Sequence, residues 1–104
     1  MISKLIEMLS IGIFMLNLPE IVTKSEIDEY FQTISGNIKR IRIEKKMSQL
    51  EVALSIGQRS AGFYANAENY AHDKKFNLEH LCKLAKLFNV EVTSFFEPLN
   101  KHIT

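Results

Sequence analysis

The chain is poor in the residues that build cross-linked, fibrous or unfolded proteins. Cys82 is the one cysteine among 104 residues, so neither an internal disulfide nor a multi-cysteine zinc site can form. A lone thiol suits a reducing compartment, and a cytoplasmic location is the expectation. Two prolines and four glycines exclude a collagen repeat and argue against wholesale disorder. Neither charge is in surplus: thirteen Lys and Arg face twelve Asp and Glu, a formal net charge of +1. That balance excludes a polybasic protein that binds its partner by bulk charge. The rest, 46% hydrophobic and 24% charged, describes one small globular domain. Its core is modest, and a partner subunit could reinforce it.

The balance is not even along the chain. Residues 1–35 carry −3, residues 36–76 carry eight Lys and Arg against four Asp and Glu, or +4, and residues 77–104 are neutral. An anionic partner is therefore to be sought in the middle of the chain. The first eighteen residues are mostly apolar, but Lys4, Glu7, Ser10, Gly12 and Asn17 interrupt them. That is too short and too broken for a membrane span of about 20 apolar residues. Leu18-Pro19-Glu20 offers no small-residue cleavage site for a signal peptide. Residues 1–24 are read as an extension, helical or broken, that packs on the domain or on a second subunit. Translation from Met8 or Met15 is an equal alternative, and Pro19 marks the boundary.

Residues 25–104 read as five helices with a core at 34–96. Ser25 is a candidate cap, followed by acidic Glu26, Asp28 and Glu29. Ile27, Tyr30 or Phe31, Ile34, Ile38 and Ile41 then recur at helical spacing to about Lys46, with Gly36 as a weak point. Ser48-x-x-Glu51 is a capping box for a second, short helix whose inner face is Val52, Ala53 and Ile56, closed by Gly57. Ser60 is placed to cap a third helix to about Asn69, with Phe63, Tyr64 and Ala67 inward. Asn77 caps a fourth, with Leu78, Leu81, Leu84, Ala85 and Phe88 as its stripe and Phe76 and Leu81 as a hydrophobic staple. Val90, Val92, Phe95 and Phe96 complete the core, in a last turn from Thr93 that Pro98 stops. No strand pattern of useful length appears. The fold class is all-α.

Two short helices about a glycine turn are also the geometry that places one helix in a DNA major groove. Four segments carry a more specific resemblance: Asn37–Arg42, Met47–Gly57, Ala67–Asn69 and Asn77–Val90, followed by Val90-x-x-Thr93-Ser94-Phe95-Phe96. Together they resemble the lambda-repressor and Cro-like (XRE-like) helix-turn-helix domain, over roughly residues 34–96. The resemblance implies a compact five-helix domain whose second and third helices form the helix-turn-helix. It implies that Gln49 contacts a DNA phosphate and that Ser60 caps the recognition helix. It also implies that Ala61, Gly62 and Asn66 face base edges, and that Arg42 and Glu68 form a structural ion pair. Two departures stand out. Gly57 to Glu68 is one residue longer than the family spacing, at Gln58-Arg59, and the connection from Glu68 to Asn77 is about two residues longer.

The chemistry of the residues adds to this. Gln58, Arg59, Ser60, Asn66 and Asn69 supply donors and acceptors, and Arg59 to guanine and Asn66 to adenine are the preferred pairings. Ala61 and Gly62 cannot hydrogen-bond a base, and Ala61 could at most touch a thymine methyl. Lys39, Arg40, Lys45, Lys46, Lys74 and Lys75 are collective candidates for phosphate contacts. His72, His80, His102 and Cys82 lack metal-ligand spacing, and no nucleophile–base pair, phosphate loop or paired-carboxylate site is present. The expectation is a cytoplasmic, homodimeric regulator of transcription that binds double-stranded DNA, a repressor rather than an activator. No metal, cofactor, small ligand, membrane or catalysis is expected. Phe95–Ile103 or the N-terminal extension would supply the dimer surface. The competing expectation is a protein-interaction module, an antitoxin or adaptor, that uses the same fold without reading bases.

Overall fold

The computed structural model describes residues 21–99. The apolar N-terminal stretch with its alternative starts, and His102 and Ile103 at the other end, lie outside the described residues. The described part is all-helical: α1 (Lys24–Glu44), α2 (Gln49–Ser55), α3 (Gly62–Glu68), α4 (Leu78–Phe88) and a 3-10 turn, Val92–Phe96. The fifth helix expected from the sequence is therefore a 3-10 turn.

Local chemistry accounts for most of the boundaries. Thr23, not Ser25, caps α1: its Oγ1 accepts from the Glu26 N–H at 3.1 Å, and Ser25 already lies inside the helix. The helix stops at Glu44 because Lys46 turns left-handed, with φ of 58°. The Lys46 N–H then bonds Ile43 O at 3.0 Å, and the Met47 N–H bonds Arg42 O at 3.1 Å. Ser48 and Glu51 form their box in both directions, each bond 3.0 Å. Gly57 closes α2 at φ 91°, a conformation that side chains rarely adopt. Ser60 does not cap α3. The cap position falls on Ala61, which has no side-chain acceptor, and Ser60 Oγ, one residue earlier, only approaches the Gly62 N–H at 3.4 Å.

One core joins all five elements. Ile34, Ile38 and Ile41 of α1 meet Val52, Ala53 and Ile56 of α2, Tyr64 and Ala67 of α3, and Leu81, Leu84, Ala85 and Phe88 of α4. Each large aliphatic side chain removed from water contributes roughly 1.5–3 kcal/mol. Phe63, Val90 and Val92 pack against this core while half-buried. The stripe on α1 becomes uncovered toward its start, where Ile27 and Tyr30 are exposed. Two residues expected in the core are outside it. Leu78, the first residue of α4, is 71% exposed, while Phe76 ahead of the helix is buried beside Tyr64, with ring centroids 5.6 Å apart. Phe96 is 51% exposed, because three residues per 3-10 turn put it about 120° from buried Phe95.

The C-terminal turn is tied to α1 through a buried side chain. Asn37 Nδ2 donates to Phe95 O at 2.9 Å and to Glu97 O at 2.7 Å. Gly36 does not interrupt α1. It allows a close approach instead: a Cβ there would stand 2.9 Å from both Leu99 methyls.

Candidate nucleic-acid interface

α3 is held to the rest of the domain at its C-terminal end. Ser35 Oγ of α1 donates to Ala67 O at 2.8 Å, in a buried position. Beside it, Arg42 forks onto Glu68, with Nε to Oε2 at 2.8 Å and Nη2 to Oε1 at 3.0 Å. The third arm of the guanidinium, Nη1, reaches Met47 O at 2.8 Å. Gln49, the first residue of α2, donates from Nε2 to Glu68 Oε1 at 3.2 Å. One buried carboxylate thus gathers α1, the entry to α2, and α3. Arg42 and Glu68, 26 residues apart in sequence, are brought together with the Glu68 side chain 0% exposed.

The electrostatics follow from the geometry. Burial pushes the Glu68 carboxyl up, but Arg42, and after it Tyr64 and Gln49, outweigh burial and hold the group below its ordinary value of 4.5. The hydrogen bond to Glu68 raises Arg42 in turn. Tyr64 lies fully buried beside the pair, and burial with the adjacent carboxylate drives its phenol far upward. Its hydroxyl has no well-directed hydrogen bond. The Tyr64 hydroxyl thus acts on the pair through its closeness to the Glu68 carboxylate and not through a well-aligned bond.

The N-terminal end of α3 and the turn before it are built differently. Arg59, Ser60 and Gly62 are exposed, and Gln58, Ala61 and Asn66 are half-buried. Gln58 Oε1 is itself buried without a partner, so this side chain is partly turned inward. The Asn66 main-chain carbonyl accepts from the Ala71 N–H at 2.7 Å, which fixes the exit of the helix.

The basic residues divide into two groups. Lys39, Lys45, Lys46 and Lys74 are exposed. Arg40 is engaged within the chain, with Nη1 3.0 Å from Glu44 Oε1 and Nη2 3.4 Å from Asn37 Oδ1. Arg40 and Lys45 also line a hollow with Val90, Ser94 and Glu97, on the side of the C-terminal turn. Lys75 is engaged too, 3.7 Å from Asp73 and with Nζ 5.0 Å above the Phe31 ring.

The α3–α4 connection packs back on α1. Tyr70 Oη donates to Asp28 Oδ1 at 2.5 Å, which pushes the phenol up to about 12, and the ring stacks on Phe31 at 6.5 Å. Tyr70, His72 and Asp73 are all left-handed, with φ of 53°, 53° and 55°. Such a conformation costs a side-chain-bearing residue roughly 1–2 kcal/mol. No sequence signal marks these contacts, because Asp28 and Tyr70 are 42 residues apart.

At the start of α4, Asn77 Oδ1 accepts from the His80 N–H at 2.8 Å, and His80 Nδ1 accepts from the Asn77 N–H at 3.0 Å. His80 thus completes a capping box, a role that the Asn-x-x-His spacing could have shown. Burial, with Lys83 nearby, lowers its imidazole below the usual 6.5, against the opposing pull of Glu79. Cys82 is exposed as a free thiol. Among the described residues, no group of three His, Cys, Asp or Glu could hold a metal ion. No helix among them is long and apolar enough to cross a membrane. The chain matches no family model, no curated protein and no solved structure.

Proposed function

We propose that the chain binds double-stranded DNA sequence-specifically and regulates transcription, as a cytoplasmic homodimer without catalytic activity and as a repressor rather than an activator. α3 enters the major groove, Arg59 and Asn66 read bases, and Gln49 with the exposed lysines holds the phosphates. One observation carries this reading. α3 is anchored at its C-terminal end by a buried ion pair, while the turn ahead of its N-terminal end leaves Arg59 and Ser60 exposed. An anchored short helix with an open leading end is what rigid docking into a groove requires.

The test is a titration of genomic fragments against random competitor duplex at two salt concentrations. With Lys39, Lys45, Lys46 and Lys74 neutralising phosphates, affinity falls about a hundredfold between 50 and 200 mM salt. Arg59→Ala with Asn66→Ala abolishes preference between sites, at about 1–3 kcal/mol for each lost base contact, and leaves random-sequence binding nearly intact. Binding no better than competitor at moderate salt defeats the reading.

A second reading has its own support. Ala61 and Gly62 offer bases no hydrogen bond, and Leu50 and Leu54 stand exposed one turn apart on α2. Both features suit an interaction module, an antitoxin or adaptor, that presents this unit to another protein. Absence of duplex binding at either salt concentration would favour it.

A further inference from the structure

An ionised carboxylate can only accept hydrogen bonds. Glu68 accepts three: two from Arg42, at 2.8 and 3.0 Å, and one from Gln49 Nε2, at 3.2 Å. The Gln49 amide is therefore fixed in one sense. Its NH2 group faces Glu68 and its carbonyl oxygen faces away, since a flipped amide would set oxygen against carboxylate. An NH2 group has two hydrogens, and Glu68 uses one of them. The other is left on a half-buried side chain at the first position of α2, next in sequence to exposed Ser48 and three residues after exposed Lys46. Everything that sets this orientation is internal. Arg42 grips Glu68 from α1 and ties down Met47 O, just ahead of α2. The amide is thus held before any partner arrives, and its ordering adds little to the cost of binding.

We propose that Glu68 is a positioning residue for DNA docking, holding the Gln49 amide so that its remaining N–H donates to a backbone phosphate. This rests on the DNA-binding reading above and gives the buried carboxylate a share in binding as well as in folding. The contact is uncharged, so it displaces no counterion. It adds affinity for every duplex equally and leaves the salt dependence unchanged, which separates it from the lysines.

The test needs no operator. A random-sequence duplex of about 20 base pairs is titrated at 50 and 200 mM salt, a length that spans about two helical turns. Gln49→Met keeps the length of the side chain and the Arg42–Glu68 pair but removes the donor. It binds about tenfold more weakly at both concentrations, with the salt slope of the wild type. Lys46→Ala, by contrast, lowers the slope. Glu68→Gln loses affinity although Gln49 is intact, because an amide partner permits either orientation. Since that variant can also loosen the fold, the Gln49 side-chain amide of the wild type is followed by NMR. One of its two protons is protected from exchange without DNA, and the other shifts when the duplex is added. Wild-type affinity in Gln49→Met, with Lys46→Ala weakened, overturns the role of Glu68 and leaves DNA binding standing. Free exchange of both amide protons overturns it as well. A wild type that binds the duplex at neither concentration refutes the reading beneath it, and the role of Glu68 falls with it.

Discussion

The two ends of α3 are held in opposite ways. At the C-terminal end, Glu68 is buried and receives three hydrogen bonds from two other elements, while Ser35 reaches the adjacent carbonyl. At the N-terminal end, Ala61 provides no cap, Gly62 is the first helical residue, and the preceding Arg59 and Ser60 face solvent. A seven-residue helix is far below the length that is stable alone, so its existence depends on the anchored end. Stability is thus concentrated at the buried end, and the leading end is left with few internal commitments. That division suits a unit whose leading end makes its contacts outside the chain.

Removal of the anchor has the largest expected effect. Arg42→Ala leaves Glu68 ionised, fully buried and without its main partner, and costs about 3–5 kcal/mol. Urea denaturation monitored by circular dichroism measures this. A loss under about 1 kcal/mol would mean that the pair behaves as an exposed one, and the contrast between the ends would collapse.

The leading end responds in the opposite direction. A Cβ added at Gly62 meets only Ser60 Oγ, at 3.7 Å, an ordinary contact, and the backbone there is not left-handed. Gly62→Ala therefore stabilises the domain by up to about 1 kcal/mol, by narrowing the unfolded ensemble and favouring helix. In the DNA-binding reading the same methyl meets the groove, so the variant melts higher and binds DNA more weakly. A variant with higher melting temperature and unchanged affinity would mean that this end does not approach the DNA closely.

How much of this was legible in the sequence depends on separation along the chain. The Ser48–Glu51 and Asn77 caps are contacts over three residues, and their side-chain chemistry alone identifies them. The aliphatic stripe from Ile34 to Ile41 is equally local. No local rule links Arg42 to Glu68, 26 residues apart, and in the sequence only the family resemblance implies their pairing. Ser60 lies one position ahead of the observed cap, because a cap depends on where the backbone enters the helix, and residue type alone does not locate that to a single residue. Neither the hold of Asn37 on Phe95 and Glu97 nor the packing of Tyr70 on Asp28 and Phe31 has any sequence signal. Such polar ties form only after the apolar core has brought their elements together. The same holds for the division of the basic residues. Arg40 and Lys75 look like phosphate contacts in one dimension, and both turn out to have acidic neighbours on the folded surface.

The smallest expected effect separates the anchor from the rest of the fold by acidity. His80 accepts the Asn77 N–H through Nδ1, which only the neutral ring can do, and its folded pKa lies below the ordinary 6.5. The folded state therefore binds this proton less readily than the unfolded chain. The capping contribution is complete above pH 6.5 and is lost as pH falls through the folded value; as a single hydrogen bond it is worth about 1 kcal/mol or less. Glu68 behaves in the same sense but at lower pH: its pKa is depressed from 4.5, so its contribution is complete above that value and is lost below it. Acidification should thus weaken the start of α4 first and the anchor of α3 second. Amide hydrogen exchange between pH 7 and 5 is expected to show increased opening at residues 78–81 with the Tyr64–Glu68 amides unchanged, after correction for the intrinsic exchange rate. His80→Gln should flatten the first step while retaining an acceptor at that position. If α3 opened first, or if both regions opened together above pH 5, the buried pair would not be the firmer end of this domain.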